Sequence, residues 1–380
     1  MHFSSKSRCL LTAPILSAAL FGGSAGRPGG QGAPESWKFA FVSDTQAGYR
    51  SPAGHSCTNH PVLQAIAGDI AEERPDFVLV GGDLVNGWHR NGGTDYSSQF
   101  ALWKSAMEPV YLAGIPIFPV RGNHESGPDR VALPPLPAHF EPPPGALASL
   151  HDAFRNAFSR AYDYIPKNGP IGEEGLTYSF AHKNAFILAV DQYGSHPHKV
   201  NQGWLDREFA ANTRPHVFLY GHEPAFGVEH KDNLAFHPVD RDLLWDSFGK
   251  AGGRVYFSGH DHRYNRAVIP DRTGNDVYQV IAGGGGARLT PWSGEYAEKE
   301  RVKGEYSDSG HHGYVLVTIE GLKAAIVWKA LRRVNGTDLW TVPDSFSYTL
   351  PQGPDKSPEV VGDLPARPRA PPLPSGAVSR

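Results

Sequence analysis

The chain has 380 residues, of which 40% are hydrophobic and 20% charged, with a formal net charge of -3. This composition is typical of a globular protein long enough for a large α/β core, and we predict one main domain. No cluster of lysine or arginine is present, so a nucleic-acid backbone is not an expected partner.

The first 26 residues are typical of an export signal. Lys6 and Arg8 precede an apolar stretch, CLLTAPILSAALF, and small residues up to Gly26 offer a cleavage site. The stretch is too short to span a bilayer, and no other segment is apolar over a membrane's thickness. We therefore expect a secreted or periplasmic protein whose mature chain has no transmembrane segment. A disordered leader is the alternative.

Removal of this leader leaves a mature chain with a net charge of -5, because the leader contains Lys6 and Arg8 but no acidic residue. Cys57 is then the only cysteine. It cannot form a disulfide within the chain, and no motif around it is typical of a catalytic thiol.

Helices and strands alternate in the first half of the chain. Residues 27–36 form a Gly/Pro-rich linker, and the main domain is predicted to run from residue 37 to 330. Within it, the pattern predicts a helix over 60–73, a strand over 76–85, a helix over 97–113 and a strand over 115–120. This alternation is typical of a sheet with crossover helices.

Residues 125–145 interrupt the alternation, with seven prolines in 21 residues. Such a segment is not expected to be a helix or a central strand. It forms either a wall of the site or a remote surface loop.

Further elements are predicted downstream of this segment. They are a helix over 146–162, adjacent strands LTYSF and AFILAVD, a short helix beginning near Gly203, and the late strands VYQVIAG, GYVLVTIEG and AAIVWKAL. Residues 292–312 are polar and predict a long loop. GGGGA at 283–287 fits a tight strand exit, with a phosphate-cradling loop as the alternative. Residues 331–380 form an extension whose proline-rich tail, from 351, is expected to be disordered.

Five short apolar runs each end in side chains that bind metal ions. The runs are FAFVSDTQ, FVLVGGD, IFPVRGNH, VFLYGH and VYFSGHDH, and their candidate ligands are Asp44, Gln46, Asp83, Asn123, His222, His260 and His262. Each run has the length and the Val/Phe content of a buried strand. Because the carboxyl ends of strands line the binding crevice of an open α/β sheet, we expect these side chains to meet.

Seven ligands are enough for two metal ions if one ligand bridges them. Each ion needs about four protein ligands when a water or a substrate oxygen completes an open coordination sphere. A carboxylate is the natural bridge. We assign this role to Asp83, which follows two glycines that allow close backbone approach.

These motifs, D-x-Q, GGD, GNHE, GH and GHDH in this order, resemble those of the calcineurin-like metallophosphoesterase superfamily. The resemblance covers about residues 37–330. It implies an α/β fold, a four-layer α-β-β-α sandwich of two mixed sheets with the metal site at the C-terminal ends of strands. It also implies one metal on Asp44, Gln46, Asp83 and His262, and a second on Asp83, Asn123, His222 and His260.

A centre with these ligands suits an anionic substrate. Two divalent ions, two aspartates and a bridging hydroxide leave a net positive charge in a partly desolvated cleft, where a phosphate group is attracted. We expect a metal-bound hydroxide to attack a small phosphomonoester or phosphodiester and break a P–O bond. His124, directly after Asn123, is the candidate general acid, both by its position and by the resemblance.

Two departures from the family narrow the interpretation. Gln46 stands where many relatives have histidine, and its harder oxygen favours manganese, magnesium or iron over zinc. Asn86 stands where the Ser/Thr protein phosphatase branch has an aspartate, so a phosphoprotein substrate is not expected. The GDLVN motif also lacks the tyrosine ligand of purple acid phosphatases, so no tyrosinate-to-iron colour is expected.

Three other interpretations of single features or of the whole chain stay open. His89 and His230 lie near the ligand motifs and are candidates for substrate contact, although exposed or hydrogen-bonded structural roles are simpler. A non-catalytic metal-binding or interaction protein could retain the fold, but here every ligand position and the acid are filled. A di-metal redox protein would typically use several glutamates on a helix bundle instead.

Overall fold

The computed structural model describes residues 36–47, 57–88, 95–127, 145–159, 165–194 and 197–352, which belong to one compact unit. The leader, His89, most of the proline-rich segment and the tail from residue 353 lie outside the described residues. Across the described part of the chain, no helix combines the length and the apolar character needed to cross a membrane.

The described residues form seven α-helices and thirteen strands. The helices are α1 (His60–Glu73), α2 (Tyr96–Ala106), α3 (Glu108–Leu112), α4 (Asn123–Ser126), α5 (Ala146–Ala157), α6 (Gln202–Ala211) and α7 (Pro238–Lys250). The strands are β1 (Ser36–Val42), β2 (Phe77–Val80), β3 (Ile117–Pro119), β4 (Tyr178–His182), β5 (Ala185–Ala189), β6 (His216–Tyr220), β7 (Val255–Ser258), β8 (Tyr264–Pro270), β9 (Asp276–Ala282), β10 (Lys303–Asp308), β11 (His312–Glu320), β12 (Lys323–Val334) and β13 (Thr337–Thr349).

The strands form two mixed sheets. The first sheet has the order β13-β12-β11-β1-β2-β3, and the second has the order β10-β8-β9-β7-β6-β5-β4. Strands β1, β2 and β3 are parallel to one another, as are β5, β6, β7 and β9. The remaining pairings are antiparallel. Both sheets therefore contain a run of adjacent parallel strands, β1-β2-β3 at one side of the first sheet and β9-β7-β6-β5 within the second, which brings several strand ends to one edge.

Aromatic side chains fill the space between the two sheets. Phe39 of β1 lies 5.0 Å from Phe218 of β6, and Phe41 lies 5.2 Å from Phe257 of β7, measured between ring centroids. All four are fully buried. Burying an aromatic side chain contributes roughly 1.5–3 kcal/mol relative to exposure, so this layer holds the sheets face to face.

Helices cover the outer faces of the sheets. A second apolar cluster includes Leu205 of α6 and Leu244, Trp245 and Phe248 of α7, packed with Tyr256 of the second sheet. On the first sheet, the buried face of α1 belongs to the main core cluster. The predicted α-β-β-α sandwich of two mixed sheets is thus confirmed.

Several predicted elements differ from the structure. The helix predicted over 97–113 is two helices, because Pro109 lies at the start of α3 and cannot continue the ladder of α2. The polar stretch 292–312, predicted to be a loop, contains β10. Residues 125 and 126, in the stretch not expected to be helical, belong to the short α4. Strand β13 lies in the part assigned to an extension, and it pairs with β12 along most of its length.

The polarity of the edge strands explains why they were not predicted. Strands β10 and β13 each form one edge of a sheet and, unlike the edge strand β3, are mostly exposed. An edge strand does not need a continuous apolar run, so periodicity does not reveal it. Helix α7 was also not predicted, although Trp245 and Phe248 are buried.

The glycine-rich run 283–287 leaves β9 and packs against the loop that follows β1. The amide of Gly285 donates to the Ser43 carbonyl at 2.9 Å, and that of Ala287 donates to the Asp44 carbonyl at 2.8 Å. A Cβ at position 285 would lie 2.4 Å from the Ser43 carbonyl oxygen, so glycine is required by close backbone approach. The run supports the Asp44 loop, as the strand-exit interpretation expected.

Candidate metal centre

Five strand ends meet at one place. Strands β1, β2 and β3 of the first sheet and β6 and β7 of the second are each followed, within two to four residues, by a candidate ligand. Asp44, Asp83 and His260 have φ angles of 59°, 51° and 68°, which are uncommon for residues other than glycine. Such backbone strain persists only where surrounding contacts impose it, and it often accompanies functional sites.

The first group of ligands comprises Asp44, Gln46, Asp83 and His262. The Gln46 amide nitrogen lies 3.2 Å from Asp83 Oδ2 and 3.3 Å from His262 Nε2. His262 Nε2 lies 3.5 Å from Asp44 Oδ1. The structure therefore brings together all four residues proposed for the first metal.

The second group comprises Asp83, Asn123, His222 and His260. His222 Nε2 lies 3.4 Å from Asp83 Oδ2 and 3.0 Å from Asn123 Oδ1. His260 Nδ1 lies 3.1 Å from the same Asn123 oxygen and 3.2 Å from His222 Nε2. Asp83 Oδ2 is common to both groups, which is the geometry a bridging carboxylate needs.

Backbone carbonyls orient two of the histidines. His222 Nδ1 lies 2.8 Å from the Gly81 carbonyl, and His262 Nδ1 lies 3.2 Å from that of Arg288. A carbonyl only accepts, so each Nδ1 carries a proton, and Nε2 is the nitrogen that faces the centre and can bind a metal ion when it is deprotonated. Such outer partners are typical of metal-binding histidines.

The chemistry of the donor set fits divalent cations. Oxygen and imidazole nitrogen ligands suit metals such as Mn²⁺, Fe²⁺ and Zn²⁺. Ligand atoms of Asp44, Asp83 and His222 all lie within 4.8 Å of one another, and all three residues are buried. Gln46 Oε1 is buried without a hydrogen-bond partner among the described residues. Rotation of the side-chain amide would place this oxygen beside Asp83 and His262, where the amide nitrogen now lies. The residues present therefore fit a binuclear site.

Burial and mutual charge shift the pKa values in this centre. Burial, reinforced by the charge of Asp83, raises the pKa of Asp44 to about 6. Burial lowers the pKa of His262 to about 3. For His222, burial opposes the charged form, but the carboxylate of Asp83 outweighs it and raises the pKa to about 10. These shifts show that the two aspartates and the histidines interact strongly within one buried group.

His124 lies at the edge of the second group. Its Nε2 is 3.7 Å from Asp83 Oδ2, and its Nδ1 lies 3.2 Å from the Asn86 carbonyl, to which it donates. Burial lowers the pKa of the ring below its ordinary value, although the Asp83 charge acts in the opposite direction. Because Nδ1 is committed to a carbonyl, Nε2 is the ring atom that can exchange a proton toward the centre.

Two positioning residues were missed by the sequence reasoning. Glu125 is fully buried and accepts from the amides of Asp83, Val85 and Gly122 at 3.0, 3.1 and 2.9 Å. Gln192, after β5, accepts from the His222 amide at 2.7 Å. Glu125 was visible as the last letter of GNHE, whereas no local signal marked Gln192.

A second acidic and histidine cluster lies beside the centre. It comprises Glu229, His230 and Asp261. His230 Nδ1 lies 3.0 Å from Asp261 Oδ1, and Glu229 pairs with Arg263 at 2.6 Å. Asp261 also accepts from the amides of Val228 and His230. These charges already have partners within the protein, so the cluster is an ion-pair network that anchors the loop carrying His230.

Cys57 lies outside the centre. It is buried and its thiol donates to the Gln99 carbonyl at 3.3 Å. Burial raises its pKa to about 12, which is the opposite of what a thiolate nucleophile requires. Its surroundings are those of a structural cysteine.

Several solved structures, among them two phosphatases, share this fold. A purple acid phosphatase from yellow lupin (Lupinus luteus) seeds has 15% identity and a TM-score of 0.62, covering 83% of this chain and 54% of that one. PhoD has 15% identity and a TM-score of 0.60, covering 84% and 71%. A dimetal phosphatase from Danio rerio has 13% identity and a TM-score of 0.53, covering 83% and 99%. The chain spans about half the length of the lupin protein.

Sequence comparison identifies the family of the chain. No curated protein sequence matches the chain. The profile of the calcineurin-like phosphoesterase family matches residues 38–264, more than half of the chain and a range that includes all seven candidate ligands. The resemblance seen in the five motifs is confirmed: the chain belongs to the calcineurin-like phosphoesterase family.

Proposed function

We propose that this protein is a dinuclear-metal phosphoesterase that hydrolyses a P–O bond of a small phosphomonoester or phosphodiester. The observation that carries the proposal is that seven ligand side chains from five strand ends meet in two groups that share Asp83 Oδ2. Family membership supports the reaction class. A non-catalytic relative would not need a complete ligand set with His124 beside it.

Each of the two ligand groups would hold one metal ion. Asp44, Gln46, Asp83 and His262 would hold one divalent ion, and Asp83, Asn123, His222 and His260 would hold the other. When bound, two such ions would polarise the phosphoryl oxygens and supply a nucleophile at neutral pH. The Gln46 oxygen in place of an imidazole favours manganese, magnesium or iron over zinc at the first position.

His124 would donate a proton to the leaving-group oxygen. Its Nε2 lies on the side of Asp83, and its Nδ1 proton is held by the Asn86 carbonyl. The ring can therefore donate only from Nε2, and only as the imidazolium. The carbonyl contact fixes the ring plane, so the proton is delivered along one direction.

We also propose export of the protein through residues 1–26. Basic residues, an apolar stretch and small residues in that order support a cleaved signal. Expression of the full chain should yield, outside the cytoplasm, a product whose first residue lies near position 27. Mass spectrometry of an intact cytoplasmic product beginning at residue 1 would contradict export.

The metal dependence and the reaction can be tested together. Protein stripped with a chelator is resupplied with Mn²⁺, Mg²⁺, Fe²⁺ or Zn²⁺, and bound metal is measured by elemental analysis. The same samples are assayed with an aryl monoester, an aryl diester, a nucleotide and a phospholipid. We expect two ions per chain and hydrolysis of at least one ester only when metal is present.

Asp83→Asn is the matched loss-of-function variant, because it removes the charge shared by both groups while keeping the side-chain shape. Asp206→Asn, an exposed aspartate of α6, is the control. Full hydrolysis by stripped protein would overturn the mechanism. Two bound ions without hydrolysis of any ester would instead favour the non-catalytic alternative.

A further inference from the structure

His260 differs from the other two histidines of the centre in how its outer nitrogen is held. His222 and His262 each donate from Nδ1 to a backbone carbonyl. His260 is turned the other way, with Nδ1 facing Asn123 and His222. Its Nε2 is buried and has no hydrogen bond among the described residues. The charged group beside it is the carboxylate of Asp232, whose Oδ1 lies 3.5 Å away.

We propose that Asp232 is a positioning residue for His260. Its carboxylate, 3.5 Å away, is placed to accept a proton from Nε2, which would leave the Nδ1 lone pair directed at the second metal position. This inference rests on the proposed metal centre. A carboxylate behind a metal-bound histidine fixes its tautomer and ring orientation, and it increases the basicity of the coordinating nitrogen more than a neutral carbonyl does.

The loop around Asp232 is built to hold it against His260. Asp261, the residue after His260, accepts from the amides of Val228 and His230, both at 2.9 Å. Asn233 closes the same loop, because its side chain donates to the His230 carbonyl and accepts from the Ala235 amide. Within the GHDH motif, Asp261 therefore anchors the loop through its backbone amides, and the neighbouring His260 faces the Asp232 carboxylate of the same loop.

Neighbouring groups also restrict the orientation of the His260 ring. The His230 ring lies 4.4 Å from it, centroid to centroid, and the His260 backbone amide donates to Asp44 at 3.0 Å. Only 4% of His260 and 19% of the Asp232 side chain are exposed. Water is thus a poor substitute for Asp232 at Nε2, and loss of the carboxylate would leave this nitrogen without a partner.

The experiment compares Asp232→Ala and Asp232→Asn with the wild type, and uses Asp240→Asn as the control. Asp240 is 48% exposed and pairs with Lys199 on the surface. Metal affinity is measured by competition with a chelator. We expect Asp232→Ala to weaken one of the two ions by about 10–100-fold and leave the other unchanged. Asp232→Asn, which keeps an acceptor oxygen but not the charge, should lose less affinity, and the control should lose none.

A second readout does not depend on metal or on activity. Metal-free protein with ¹⁵N-labelled histidine is examined by long-range ¹H–¹⁵N correlation, and the His260 signals are assigned with His260→Gln. We expect Nε2 protonation in the wild type and in Asp240→Asn, and a mixture of tautomers in Asp232→Ala. A purely structural effect of the substitution would lower stability without changing the tautomer.

The outcomes separate the two proposals. Wild-type protein that binds two ions, with unchanged affinities and tautomer in both Asp232 variants, overturns the role of Asp232 and leaves the proposed function standing. Wild-type protein that binds no metal overturns both. Weakening of both ions to the same extent would also contradict the inference, because the ligand that lies beside Asp232 is His260 of the second group.

Discussion

Each histidine of the centre turns one ring nitrogen inward and the other toward an oxygen of the surrounding protein. His222 and His262 use Nε2 as the inward atom, whereas His260 uses Nδ1. The choice follows from the acceptor that each ring meets on its outer side, not from the residue type. At the residue scale, the nitrogen that a histidine can offer to a metal ion depends on which of its two ring nitrogens faces the surrounding protein.

His124 is the residue whose removal should separate chemistry from metal binding. His124→Gln keeps a polar side chain but cannot donate a proton from an imidazolium, so we expect metal content to stay at the wild-type level. Turnover of an alkyl phosphoester should fall by about 10²–10⁴-fold. Turnover of a nitrophenyl ester should fall much less, because its leaving group needs no proton. Steady-state kinetics with the two esters measure the difference.

The control for this prediction is His60→Gln, at the first residue of α1 and outside both ligand groups, which should change neither rate. An equal loss for both esters in His124→Gln would argue against proton donation to the leaving group.

Gly122 shows how closely the ligand loops approach one another. A Cβ at this position would lie 2.1 Å from Asp83 Oδ1 and 2.5 Å from the Asp83 amide. Gly122→Ala must therefore displace Asp83, and we expect loss of metal affinity and a destabilisation of about 1–3 kcal/mol. Chelator competition and thermal unfolding of the metal-free protein measure the two effects.

Gly68 provides the contrasting substitution. It lies inside α1, and a Cβ added at this position would have no neighbouring atom within 4 Å, so alanine there meets open space. Gly68→Ala should stabilise the protein by roughly 0.5–1 kcal/mol through helix propensity and leave metal binding unchanged. Similar behaviour of the two variants would mean that the close approach at Gly122 does not constrain Asp83.

At the scale of elements, β13 is joined to the second sheet by a buried ion pair. Arg266 of β8 makes two hydrogen bonds to Asp344 of β13, at 2.8 and 2.9 Å, and Tyr264 donates to the same carboxylate at 2.8 Å. The Tyr264 ring stacks on Trp328 of β12 at 4.5 Å. Although β13 is an edge strand, it therefore ties the two sheets together.

Asp344→Ala should be strongly destabilising, because it removes the carboxylate that the largely buried Arg266 binds with two hydrogen bonds and leaves the guanidinium with the more distant Glu305, 3.7 Å away. We expect a loss of about 3–5 kcal/mol in the free energy of unfolding. Asp338→Ala, on the same strand, breaks an exposed pair with Arg333 and should cost less than about 1 kcal/mol. Denaturant unfolding of both variants measures the difference, and equal losses would contradict the tie between the sheets.

The elements also show where sequence patterns stop being informative. Strands β1, β2, β6 and β7 were predictable because their residues are buried on both faces and form continuous apolar runs. The edge strands β10 and β13 were not predictable in this way, because most of their residues face water and are polar, so they form no apolar run. Their place in the sheets depends on partners distant in the chain.

For the whole molecule, the metal centre is a link between the two sheets. Asp44, Asp83 and Asn123 follow strands of the first sheet, and His222 and His260 follow strands of the second. A cation bound by ligands from both sheets stabilises the folded state, because the unfolded chain does not hold these ligands together.

Metal should therefore raise the melting temperature. At a free ion concentration about 100 times the Kd, one site contributes about 2.7 kcal/mol, which corresponds to several degrees. Differential scanning calorimetry with Mn²⁺ and with chelator measures the shift, and Asp83→Asn should abolish it. An unchanged melting temperature in wild-type protein at saturating metal would contradict a cation shared by the two sheets.

The sequence by itself determined the family, the two-sheet α/β class and the identity of the seven candidate ligands. It could do so because each ligand lies within a few residues of a buried strand, and both the strand and its polar end are local features. The sequence also predicted that Asp83 is the shared ligand, and the tertiary structure decided that the shared atom is its Oδ2. The tertiary structure also showed that Glu125 and Gln192 hold the ligand loops and that Asp232 faces His260. These relations join atoms from separate strands and loops, and only the packing of the two sheets sets the distances between them.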